Sequence, residues 1–85
     1  MFIPYITLFK GDTEVEVTNT KWSGEKTTVR IEEPNAVLGF KVLECNLPSY
    51  TILKNVGLSN TELNWYMFFI RQHAHLIIEN AMGVD

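Results

Sequence analysis

Few residues of this chain have types suited to chemistry, and their spacing argues against most of it. His73 and His75 are the only histidines. On a strand, an H-x-H pair points both rings to one side and could share a zinc ion. On a helix, positions two apart diverge by about 200° and cannot chelate together. The sequence around them repeats with helical spacing, and no Cys or acidic cluster adds ligands at metal-site intervals. His75 instead lies one turn from Arg71 and one turn from Glu79, on a polar strip where it can pair with Glu79. His73 falls at the edge of an apolar face.

Nucleophiles and carboxylates are equally sparse. Cys45 is the single cysteine, so it forms no internal disulfide; it reads as a small apolar residue at a strand end, in a reducing cytosol. Ser49 and Ser59 lack a G-x-S-x-G elbow. Glu14, Glu16, Glu32 and Glu33 fall on alternating segments and read as solvated strand faces, not as a carboxyl pair with separated pKa values. The glycines are isolated, so no phosphate loop forms. No catalytic residue, cofactor or metal is expected, and the chain reads as non-enzymatic.

The element that must position everything else is the stretch from Leu58 to Gly83, expected to form one long helix. Ser59 and Glu62 fit an S-x-x-E capping box, and Leu58 and Leu63 the positions of a hydrophobic staple. Gly83 can close the helix in the left-handed conformation. Between these marks, Leu63, Tyr66, Met67, Ile70, Ala74, Ile77, Ile78 and Ala81 form one apolar face. At about 1.5 Å per residue the helix would cross a small sheet from corner to corner.

A second stripe occupies the back of that helix. Trp65, Phe69, Gln72 and Leu76 line up opposite Leu63 and Ile70, with Phe68 beside them. A domain this small offers the helix one sheet face, so these side chains are expected to be covered by a second copy of the chain. Self-association into a homodimer is the leading expectation. Trp22, in the loop Asn19 to Lys26, is a further candidate contact for a partner protein.

Ahead of the helix the pattern is that of strands. Ile3 to Phe9 is rich in β-branched and aromatic residues, with Pro4 marking an edge or strand entry. Lys10 to Thr13 is turn chemistry, and Glu14 to Thr18 alternates with Val15 and Val17 inward. Thr27 to Glu33 alternates with Val29 and Ile31 inward, ending at Pro34. Val37 to Cys45 is apolar on both parities, as in a strand that is central or covered on both faces, with Gly39 as a bulge or a close approach. Tyr50 to Val56 fits a strand or two helical turns equally well. The architecture expected is α+β: a single domain, residues 1–85, with four or five antiparallel strands in a meander and the helix on one face.

The segment from Tyr50 to Tyr66 also resembles a helix-turn-helix, carried by Ile52, Val56, Gly57, Leu58, Leu63 and Tyr66 at their spacings. That resemblance implies a small DNA-binding regulator, the alternative to an interaction module. Ser59, Asn60, Thr61 and Asn64 would then face the bases, with Arg71 the only basic residue on that face. Net charge counts against nucleic acid as a partner. At −3, the chain has no basic stripe to displace counterions from a polyanion.

Composition bounds the rest. Eighty-five residues with 46% apolar and 20% charged content make one ordinary globular domain, near the size at which a core just suffices. No membrane partner is expected. The longest apolar run, Trp65 to Ile70, stops at Arg71, far short of a span. MFIPYITLFK lacks the basic start of a signal peptide. A cytoplasmic location follows as the expectation.

Overall fold

A computed structural model of the chain describes residues 1–83. Five strands, β1 (Phe2–Lys10), β2 (Thr13–Thr20), β3 (Thr27–Asn35), β4 (Gly39–Leu47) and β5 (Ile52–Val56), precede one helix, α1 (Asn60–Met82). The strands form a single antiparallel sheet in chain order, so the fold is the α+β meander with a C-terminal helix. β1 and β5 are the edges. β1 carries Pro4 and a bulge between Pro4 and Ile6, both of which discourage further pairing at that edge.

One face of the sheet packs against α1. Val15 and Val17 of β2, Val29 and Ile31 of β3, and Leu43, Cys45 and Leu47 of β4 point into it. Against them α1 buries Tyr66, Met67, Ile70, Ile77 and Ala81. Leu58, Leu63, Ala74 and Ile78 pack at the margins. Burying a large aliphatic side chain contributes about 1.5–3 kcal/mol, so this interface supplies the main drive for folding.

The start of α1 follows its sequence marks. Ser59 Oγ accepts the Glu62 amide at 3.2 Å, and Glu62 Oε1 accepts the Ser59 amide at 3.0 Å. The end departs from them. Gly83 has φ −81°, not the left-handed value expected, and its N–H simply bonds the Glu79 carbonyl at 2.8 Å.

The hairpin between β3 and β4 needs a larger correction. Val37 and Leu38 lie in the turn and are exposed, as is Phe40 just after it. Both parities are buried only at Val42 and Leu43; beyond them Cys45 and Leu47 stay buried under α1 while Glu44 and Asn46 are partly open, because no second layer covers the outer face of β4. Gly39 is neither a strand bulge nor a close approach. Its φ is +82°, and an added Cβ would meet nothing within 4 Å, so the turn geometry is what selects glycine.

Within Tyr50 to Val56, residues Ile52–Val56 form the short edge strand β5, and Tyr50 precedes it with φ +62°. The first helix of a helix-turn-helix is therefore not formed, and the likeness of residues 50–66 reduces to a glycine turn followed by a capped helix. Asn19, expected in a loop, is the last inward residue of β2 and is fully buried.

Candidate functional site

Two features of α1 stand apart from the core: a polar cluster at its N-terminal end and an exposed stripe along its back. The cluster is built by three strands and the helix. Lys10 ends β1, Glu33 and Lys41 are partners in the β3–β4 register, and Glu62 and Tyr66 lie on successive turns of α1. Lys10 Nζ contacts Glu33 Oε1 at 3.2 Å and Glu62 Oε2 at 3.1 Å. Lys41 Nζ contacts Glu62 Oε2 at 3.0 Å and Glu33 Oε2 at 3.9 Å. The Tyr66 hydroxyl donates to Glu33 Oε1.

The electrostatics of the cluster follow from these contacts. The Glu62 carboxyl is held down to about 2, first by the Ser59 amide and then by Lys41 and Lys10. Its bond to Glu62, and then Glu33, raises the Lys10 ammonium above its ordinary value, against some burial. Burial first, and then the Glu33 carboxylate, pushes the Tyr66 phenol above its ordinary value. Two positive and two negative charges balance, so the cluster presents neither an anion site nor an unpaired base. What it does is fasten the first turns of α1 to the sheet.

Glu33 was expected to be solvated, yet it is 7% exposed. The signal was present in parity: Glu33 follows Val29 and Ile31 on the same face of β3. Tyr66 lies on the apolar helix face as expected, but its meeting with Lys10, Lys41 and Glu33 depends on strand register and is not legible in the sequence. Beside the cluster a cavity of about 330 Å³ is lined by Lys10, Thr61, Glu62, Trp65 and Tyr66.

The back of the helix is open. Trp65, Phe68 and Leu76 are 58%, 59% and 42% exposed, and Gln72 is exposed between them. Phe69 does not share that surface. It is half-buried against the core on the β1 side, where its ring stacks on His73 at 4.3 Å. His73 Nδ1 in turn lies 3.1 Å from the Tyr5 hydroxyl. Phe69 differs because its position on the helical wheel leans toward the sheet margin, beside His73 rather than Gln72.

Trp22 is half-buried, and its amide donates to the Ala81 carbonyl at 3.2 Å, tying the β2–β3 loop to the end of α1. His73 and His75 part as their spacing requires, His73 turned toward Tyr5 and His75 exposed. Cys45 is buried, and burial pushes its thiol up to about 11, so it is an inert side chain at neutral pH. Among the described residues no group of three or more His, Cys, Asp or Glu could hold a metal ion. No helix among them is long and apolar enough to cross a membrane. Comparison of the chain with protein-family models, with curated proteins and with solved structures found no match.

Proposed function

We propose that this protein is a non-enzymatic, cytoplasmic interaction module that self-associates through the back of α1. The observation that carries this reading is the exposed stripe of Trp65, Phe68, Gln72 and Leu76. Its members sit on a helix whose opposite face is already filled by the sheet. Three large apolar side chains in one row are unusual on a small monomer and are the composition of an interface centre. Each contributes about 1.5–3 kcal/mol on full burial, and a twofold contact uses the row twice. Phe69, stacked on His73 and packed against the core, is not part of the row.

Contrast between the two adjacent phenylalanines tests this reading. Phe68→Glu should convert a dimer into a monomer while circular dichroism and melting stay close to wild type. Phe69→Glu should instead destabilise the fold, because the new carboxylate would lie against Tyr5, His73 and the core. Sedimentation measures the first effect and thermal melting the second. A wild-type chain that sediments as a monomer at high micromolar concentration would overturn the reading.

A further inference from the structure

Gln72 lies at the centre of the exposed stripe, with Phe68 and Leu76 four positions to either side. Seven positions before it stands Trp65, and seven after it Glu79 of the adjoining polar strip. An antiparallel helix pair related by a twofold axis matches each position to its mirror image about the centre. A centre at Gln72 therefore sets Phe68 against Leu76 of the second copy, and Trp65 against Glu79. The first pairing is apolar on apolar. The second sets an indole N–H donor opposite a carboxylate. On the axis the two Gln72 amides meet, and each offers a donor and an acceptor to the other.

A shallow hollow, broadly open to solvent, lies around Glu79 and is lined by Tyr5, Leu76, Glu79, Asn80 and Gly83. Its floor combines apolar surface with a few polar groups. Trp65 projects from the same stripe two turns before the axis. Tryptophan is the side chain most often found as an anchor seated in such a hollow. Among the described residues the Glu79 carboxylate takes part in no ion pair.

We propose that a second copy docks antiparallel across α1 about a twofold axis at Gln72, seating each copy's Trp65 in the other's hollow between Tyr5, Leu76 and Glu79. This rests on the self-association reading and adds its register, its anchor and its polar partner.

Disulfide trapping in the full chain tests the register. Helix axes in contact lie about 8–10 Å apart, which brings residues on the axis within disulfide reach. Gln72→Cys should therefore cross-link to its own copy under mild oxidation. Trp65→Cys alone should not, because its two copies would be separated by about 21 Å along the helices. Mixed with Glu79→Cys, it should form the heterologous cross-link. The native Cys45 is buried and stays silent. In sedimentation, Trp65→Ala should weaken association more than tenfold and Glu79→Gln less. If wild type sediments as a dimer but Gln72→Cys fails to cross-link, or Trp65→Cys links to itself, the register is wrong while self-association stands. A wild-type monomer that no variant traps removes both.

Discussion

The hydroxyl of Tyr66 on α1 donates to the carboxylate of Glu33 on β3, and the two residues are 2% and 7% exposed. A buried carboxylate is tolerable only when charge and hydrogen bonds surround it, and here Lys10 and Lys41 supply the charge. Tyr66 supplies the bond from the helix. The pair therefore sets where α1 lies along β3, and the apolar contacts further along the helix follow from that placement.

Tyr66→Phe keeps the ring packing and removes only the donor. A hydrogen bond to a charged group contributes about 1.5–3 kcal/mol, and denaturant unfolding should show a loss of that size. The pH dependence carries the same information. With the folded phenol held above its ordinary value, the unfolded chain loses its proton first as pH rises past about 10. Fewer protons on the unfolded state mean that stability falls with rising pH in that region. The variant should show a shallower alkaline fall. Burial raises Tyr5 as well, so some slope should remain. An unchanged midpoint together with an unchanged alkaline limb would mean that the bond to Glu33 contributes nothing.

Glu62 should control the acid limb. Its carboxyl titrates at about 2 in the fold against 4.5 for an unperturbed group, held down by the Ser59 amide, Lys41 and Lys10. As pH falls from 4.5 toward 2, the unfolded chain takes up this proton first, so stability is lost across that window and is complete above it. Glu62→Gln retains a side-chain acceptor for the capping box but not the charge. Stability at neutral pH should drop modestly, and the acid limb between those values should flatten. Urea midpoints at several pH values measure both. A variant whose acid limb matches wild type would show that the two lysines do not act through Glu62.

How far the sequence discloses this molecule depends on the range of the interaction. The alternation of Val15 and Val17, and of Val29 and Ile31, is local, and both pairs lie in the core. The capping box of Ser59 and Glu62 is likewise a matter of neighbouring residues. Glu33 and Asn19 are the opposite case. Each looks like a strand end or loop residue by type, and each is buried because a distant element, Tyr66 for one and Asn80 for the other, comes to meet it. Val37 and Leu38 mislead for another reason: apolar type argues for burial, but a tight turn has no layer to bury them. The stripe on α1 was legible as a row. Only the lean of the helix on the sheet separated Phe69 from Trp65, Phe68, Gln72 and Leu76.

Asn19 should prove the second fastening of the helix, toward its C-terminal end. It is fully buried, and its Nδ2 donates to the Thr20 carbonyl at 3.1 Å and to Thr27 Oγ1 at 3.3 Å. Its Oδ1 accepts from Asn80 Nδ2 at 2.9 Å, and the same Asn80 nitrogen reaches the Pro4 carbonyl at 3.2 Å. One amide thus links β2, β3 and α1, with β1 joined through Asn80. Asn19→Ala strands these groups in the interior, and leaving a buried polar group unpaired costs about 1–3 kcal/mol. Asn19→Asp is the sharper variant. It keeps the acceptor for Asn80 but brings a carboxylate that cannot donate to Thr20 or Thr27, so at neutral pH it should be worse than Ala. Its deficit should shrink on acidification to about pH 4, once the protonated acid can donate again. Hydrogen exchange locates the effect, since the Trp22 amide bonded to the Ala81 carbonyl lies at the same end of α1 and should exchange faster in both variants. Should Asn19→Ala melt with wild type while Trp22 keeps its protection, the end of α1 is held by the packing of Ile77 and Ala81 and the Trp22 bond, without Asn19.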